Sequence, residues 1–216
     1  ILSSLKATYP QILEDMTRIN LFVPYYFYDI LKDVDYFTLF VYMGSSEEYG
    51  DYNGIPYGED FREKPTSPYA VTKTAGIKFI SMISKNEKFP AIVIRPSVLF
   101  GKYQPKSKFI PYLVDSLSKN NELKLTGCEQ TRDFLSIERF SQLLIDLIES
   151  QKYQIGEIYN ISSGINFTLK EIVNHIKKVI NPENPKIPFG KLPYRKNEIM
   201  NFSVSNEKIK RIIDFK

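Results

Sequence analysis

The segment Thr66-Ser67-Pro68-Tyr69-Ala70-Val71-Thr72-Lys73 decides how the rest of the chain is read. Ser67 is a good N-cap and Pro68 suits a first helical position, so a helix is predicted to open here with Tyr69 and Lys73 in its first turns. A spacing of four puts both side chains on one face. An isolated tyrosine holds its proton to about pH 10, and an ammonium one turn away is expected to favour the phenolate and lower that value. Tyr69 is thereby a candidate acid and base. The alternative reading is an exposed helix face, because tyrosine (15 residues) and lysine are common in this chain.

The segments on either side supply context. Upstream, Phe37 to Met43 is a short apolar run rich in β-formers that ends at Gly44-Ser45-Ser46, which predicts a buried parallel strand. Residues 50–66 hold the Gly and Pro of a loop. Downstream the helix should run to about Lys85, and Phe89 to Arg95 reads as a second buried strand. Strand, helix, strand in that order implies a parallel crossover, and in such sheets chemistry gathers at the carboxyl ends of strands. Ser45 and Arg95-Pro96-Ser97 fall there.

Before this unit, apolar residues from Ile12 to Val34 recur every three or four positions, predicting a long amphipathic helix that Pro24 kinks or divides. After Gly101, a helix is predicted from Phe109, a short strand at Leu123–Thr126 and another at Thr131–Ser136. A helix over 138–152 and a strand over 157–161 follow. Thr168 and Glu171 form a capping box that starts a helix through Ile180. Pro182, Pro185, Pro188 and Pro193 mark an irregular stretch, and 205–213 reads as a last helix.

Composition narrows the function classes. Twenty-nine basic and 25 acidic residues among 216 give a net charge of +4 with the signs interspersed, which is not a nucleic-acid footprint. No apolar run reaches the ~18 residues of a membrane span, and no signal pattern opens the chain. Cys128 is the only cysteine, so no internal disulfide is available and a reducing cytoplasm fits best; His175 is the only histidine, so no zinc-type cluster and no metal is expected. His175 is expected to face water and Cys128 to sit in a loop or small core. The Tyr25-Tyr26-Phe27-Tyr28 cluster reads as helix packing.

Met43-Gly44-Ser45-Ser46-Glu47-Glu48-Tyr49-Gly50, Ser67 to Lys73, and Ile94-Arg95-Pro96-Ser97-Val98-Leu99-Phe100-Gly101 together resemble the extended short-chain dehydrogenases/reductases, the epimerases and dehydratases of nucleotide sugars. The likeness continues through Lys108-Phe109-Ile110-Pro111, Gln130 to Phe134, Tyr159-Asn160-Ile161 and Tyr194-Arg195-Lys196-Asn197-Glu198. It implies an α/β fold: a Rossmann-like parallel sheet over 1–101, with a small α+β substrate-binding subdomain over 102–216 from which 138–161 returns to the sheet. It implies hydride transfer at a sugar C4 with NAD or NADP and a nucleotide-diphosphate sugar as partner. Reductase, epimerase and dehydratase all stand open, with a slight lean to the 6-deoxy-sugar reductases and epimerases.

The resemblance also implies roles. Ser45, Tyr69 and Lys73 would be catalytic, with Tyr69, Lys73 and Pro96 against the cofactor. Ser46, Ser97, Lys108, Arg132, Asn160 and Arg195 would meet substrate, the two arginines clamping the diphosphate. Glu47 is either a solvated loop charge or the acid of a dehydratase like those acting on GDP-mannose. Arg132 could instead pair with Asp133 or Glu138. A homodimer is expected. The sequence lacks the family's G-x-x-G-x-x-G turn, so the N-terminal βα units are expected to be missing, roughly 60 to 90 residues at about 30 per unit. Such a chain would be a processed or fragmentary enzyme, one completed by a separately encoded N-terminal half, or a silent remnant.

Overall fold

The computed structural model describes residues 11–53, 55–183, 187–196 and 198–215. Pro185 of the irregular stretch and Asn197 of the last motif lie outside the described residues. The helix expected at the start is three pieces: α1 (Gln11–Thr17), a π-helical turn (Arg18–Phe22) and α2 (Val23–Leu31). Proline is the cause. Pro24 has no N–H to give the Asn20 carbonyl four residues earlier, and the backbone widens there so that Val23 N–H reaches back to the Arg18 carbonyl. The orphaned Asn20 carbonyl accepts instead from the Tyr42 hydroxyl at 2.8 Å.

Two sheets follow. In the first, β1 (Phe40–Met43), β2 (Ala91–Pro96) and β5 (Ile158–Ile161) lie in the order β1-β2-β5, all parallel, with Met43 opposite Ile94 and Arg95 opposite Asn160. The helix α3 (Pro68–Asn86) connects β1 to β2, its Ser67 Oγ accepting the Ala70 N–H at 3.1 Å. The period of two in β2 divides the core. Ala91 and Val93 join Tyr42, Ile77, Ile80 and Ile83 on the α3 side, whereas Ile92 and Ile94 join Leu143, Leu147 and Ile161 against α5 (Ile137–Ser150). A strand covered on both faces is apolar throughout, which explains the unbroken run in β2.

The second sheet is small: β3 (Val98–Phe100) and β4 (Thr131–Ser136) run parallel, and β6 (Asn166–Thr168) pairs antiparallel with β4. Helices α4 (Phe109–Ser118) and α6 (Leu169–Ile180) enclose a separate cluster of Leu113, Leu117, Leu125, Cys128 and Val173. The capping box at Thr168 and Glu171 is formed, Cys128 is buried and His175 is exposed. Two expectations are corrected. Leu123–Thr126 is not a strand: its carbonyls at Leu125 and Thr126 accept from Leu192 and Gly190 in an irregular pairing, although the alternating burial of a strand persists. The last helix is only α7 (Glu207–Lys210).

Gly76, buried in α3, is where the π turn comes closest. A Cβ there would lie far inside van der Waals contact of the Asn20 backbone carbonyl and the Tyr42 hydroxyl. Alanine is the better helix former, by about 1 kcal/mol, but backbone cannot step aside. Gly76→Ala is therefore expected to destabilise by about 1–3 kcal/mol. Thermal melting would read this as roughly 2–4 °C per kcal/mol.

Candidate active site

The carboxyl end of β1 and the first turns of α3 meet at one place. The chain leaves β1 at Gly44 and turns at once into a 3-10 helix (Ser46–Tyr49) capped by Ser45. The Ser45 Oγ accepts the Glu47 N–H at 3.2 Å, and the Ser45 N–H donates to Glu48 Oε1 at 2.6 Å, a capping box compressed into one turn. From α3, Tyr69 comes beside the Ser45 side chain. Lys73 Nζ donates to the Met43 carbonyl at 2.6 Å, pinning α3 to the end of β1. Asn20 supports the same helix from behind, its amide donating to Thr72 Oγ1 at 2.9 Å.

The expected effect of Lys73 on Tyr69 is reversed by the fold. Burial, then the charge of Glu47, push Tyr69 up to about 12, while the Ser45 hydrogen bond pulls it down. Lys73 itself is held below its ordinary value by burial, against the pull of Glu48. Its ammonium is turned to the Met43 carbonyl, with Nζ 5.9 Å from the Tyr69 ring centre. Tyr69 therefore carries its proton at neutral pH.

Glu47 follows on the same 3-10 turn and is exposed. Burial raises its carboxyl above the usual range, and Lys108, Arg195 and Arg132 pull it back. Ser45, Glu47, Tyr69, Lys73, Lys108, Arg132 and Arg195 are thus brought to one region, although they span 150 residues of sequence. Arg132 has a partner the sequence did not suggest: it donates to Glu198 Oε1 at 2.5 Å and to the Ile199 carbonyl at 2.8 Å. Asp133, one of the two expected partners, instead accepts from Ser163 N and Gly164 N at 2.9 and 2.8 Å.

Three expected substrate contacts are not at the cleft surface. Asn160 is fully buried, its Oδ1 accepting from Tyr49 Oη at 2.8 Å and its amide donating to the Tyr57 carbonyl at 3.0 Å. Ser97 is buried and gives its hydroxyl to Asp133 Oδ1 at 2.9 Å. Ser46 is buried at the start of the 3-10 turn. Asn160 and Ser97 are engaged in holding loops together, which residue type alone does not reveal. Pro96 closes β2 opposite Ile161, at the same sheet end as Ser45.

Sequence reading missed the acidic pair behind the site. Arg95 is fully buried, donating from Nε to Glu48 Oε2 at 2.8 Å and from Nη2 to Glu63 Oε1 at 2.6 Å, with its guanidinium 4.5 Å from the Tyr49 ring centre. Glu63 reaches Lys78 at 2.8 Å. A charged residue inside the apolar run 91–96 was the available signal, since it needs a buried counter-charge.

Residues 6–162 match the model of the NAD dependent epimerase/dehydratase family. Human dTDP-D-glucose 4,6-dehydratase is 28% identical over 146 residues, which is 67% of this chain and 41% of that protein. CDP-abequose synthase of Salmonella typhimurium is 28% identical over 153 residues, 69% of this chain and 51% of that one. The chain spans about half the length of the curated relatives it matches. Among solved structures, the NAD complex of dTDP-glucose 4,6-dehydratase from Bacillus anthracis superposes with a TM-score of 0.81 at 23% identity, over 91% of this chain and 61% of that one. That likeness gives the fold, a Rossmann-like α/β sheet with helices on both faces. The match of the family model over most of the sequence gives the lineage: this chain belongs to the NAD dependent epimerase/dehydratase family.

Proposed function

We propose that this chain is the catalytic portion of an NAD(P)-dependent enzyme that exchanges hydride at C4 of a nucleotide-activated sugar, with Tyr69 as the proton-transfer residue. The observation that carries this reading is the convergence of Tyr69 and Ser45 at the carboxyl end of β1, with Lys73 one turn along the helix and bonded to the Met43 carbonyl. The donor set suits the ribose end of a nicotinamide cofactor: an ammonium has three N–H groups and the Met43 carbonyl takes one. When bound, NAD or NADP supplies or accepts the hydride at the sugar carbon. Everything else is work for the chain. Tyr69, protonated at neutral pH, gives its proton to the C4 oxygen as negative charge develops there, and the Ser45 hydroxyl fixes that oxygen's place. Such a donor serves the carbonyl-reduction half of the hydride exchange. Arg132, Arg195 and Lys108 surround the cleft with positive charge, in keeping with a diphosphate-linked substrate.

A second reading rests on Glu47. Its carboxyl is raised by burial and close enough to Tyr69 to affect it, so it could act as the acid of a 4,6-dehydratase, the activity named for the human relative. Products formed by the full-length enzyme from dTDP-, CDP- and GDP-hexoses and their 4-keto-6-deoxy derivatives, followed by NMR, separate the two. Glu47→Gln is expected to cost a reductase or epimerase less than about tenfold in kcat; a dehydratase would lose about 10²–10⁴-fold.

Self-association fits the face formed by Phe22, Tyr26, Phe27 and Ile30, all exposed around α2. A homodimer in sedimentation, and a monomer after Phe27→Glu with Ile30→Glu, is the expected outcome.

A further inference from the structure

We infer that Glu48, held by Arg95, is the positioning residue of the proton-transfer centre: it fixes the backbone of Ser45 from behind and is the anionic neighbour of Lys73. This rests on the reading of Tyr69 and Lys73 given above. Glu48 has no exposed surface, yet both of its carboxylate oxygens are engaged. Oε1 accepts the Ser45 N–H at 2.6 Å, and Oε2 accepts Arg95 Nε at 2.8 Å. The first bond determines where the Ser45 turn sits and therefore where its Oγ meets Tyr69. The second anchors the carboxylate to β2, the central strand of the sheet, so that the turn inherits the sheet's rigidity.

A buried carboxylate beside a buried arginine is costly as a stabilising device, and a leucine with a methionine would fill the same volume. Its orientation explains what an apolar pair could not do. From the 3-10 turn the Glu48 carboxylate bonds Arg95 of β2, and its charge acts on Lys73 and Tyr69 of α3 and on Tyr42 of β1. Lys73 in turn meets the Met43 carbonyl, the rings of Tyr42 and Tyr69, and the charge of Glu48. Burial works to strip the proton from Lys73, and Glu48 is the group that opposes it. Ion pairs link Glu48, Arg95, Glu63 and Lys78 from the core to the surface, and the charge of Glu48 acts on Lys73 at the site end.

The test compares Glu48→Gln with Glu63→Gln in the full-length enzyme. Both remove a carboxylate from Arg95, but only the first touches Ser45 and Lys73. Lysines reductively methylated with ¹³C-formaldehyde are titrated by NMR, with Lys73 assigned through Lys73→Arg. In Glu48→Gln the Lys73 midpoint is expected to fall by about one pH unit. With whichever dTDP-, CDP- or GDP-4-keto-6-deoxyhexose the parent reduces, kcat should fall roughly ten- to a hundredfold while KM stays within about twofold. The alkaline limb of kcat should move to lower pH by the same unit. Glu63→Gln should show none of these changes. An unmoved Lys73 titration, or equal losses in the two variants, overturns the inference. If Glu48→Gln does not fold, Glu48→Leu with Arg95→Met removes both charges together; a Lys73 midpoint like the parent's in that protein overturns it equally. Full activity in Tyr69→Phe would instead refute the C4 reading, and the Lys73 titration would still decide the role of Glu48.

Discussion

Replacing Tyr69 by phenylalanine in the full-length enzyme is expected to lower kcat by about 10²–10⁴-fold, with little change in the KM of the nucleotide sugar. The substitution removes one oxygen. That oxygen lies beside Ser45, where burial and Glu47 keep it protonated, so it is the group equipped to give a proton to the sugar C4 oxygen. The ring remains to fill its place on α3, and Lys73 keeps its bond to the Met43 carbonyl, so the architecture should persist. Steady-state kinetics together with an unchanged thermal midpoint would separate lost chemistry from lost fold. Activity within about tenfold of the parent would mean that another group moves the proton.

The largest loss of stability is expected from Arg95→Met. Arg95 bridges Glu48 and Glu63 in the core, and removing it leaves Glu48 buried with a bare charge. Breaking a buried pair from one side costs about 3–5 kcal/mol, whereas the side chain's apolar volume is retained by methionine. Glu63 still has Lys78, so most of the penalty falls on Glu48. Its carboxyl is already raised by burial, against the pull of Arg95 and the Ser45 N–H, and without the guanidinium it would rise further. The variant should accordingly lose stability most steeply toward high pH, where the unpaired carboxyl must ionise: a folded carboxyl raised above its unfolded value loses stability as pH rises between the two. Changing Glu48 to leucine as well should recover most of the loss in chemical denaturation, because no orphan charge is left. Failure of the double variant to recover would show that the pair is needed for packing as well as for charge balance.

Much of the candidate site was legible in the sequence because it is local. The Ser67 cap, the Tyr69 and Lys73 spacing and the Thr168 capping box depend on neighbours within a few residues, and the β-forming runs at Phe40–Met43 and Thr131–Ser136 are recognisable by residue type. What was not legible depends on distance. Glu48 meets Arg95 across 47 residues, and Arg132 meets Glu198 across 66. The three-residue strands β3 and β6 are too short to show a period. Leu123–Thr126 has a strand's alternation but no strand beside it, since a strand exists only as one of a pair. The behaviour of Tyr69 was misread for the same reason. Spacing revealed the neighbouring ammonium, but not the depth of the tyrosine or the Glu47 carboxyl folded against it.

Label transfer tests the central claim most directly. The full-length enzyme would be given NADH or NADPH deuterated at the transferable position of the nicotinamide, with dTDP-, CDP- and GDP-4-keto-6-deoxyhexoses, and hexoses deuterated at C4 with the oxidised cofactors. Deuterium exchanging between C4 of one of these sugars and the nicotinamide, and lost in Tyr69→Phe, is the expected result; retention at C4, delivery to C6 or delivery to the cofactor would then distinguish epimerase, dehydratase and reductase. Formation of no epimer, no 6-deoxy product and no labelled cofactor or sugar from any of these substrates, or transfer that Tyr69→Phe leaves intact, would contradict the account.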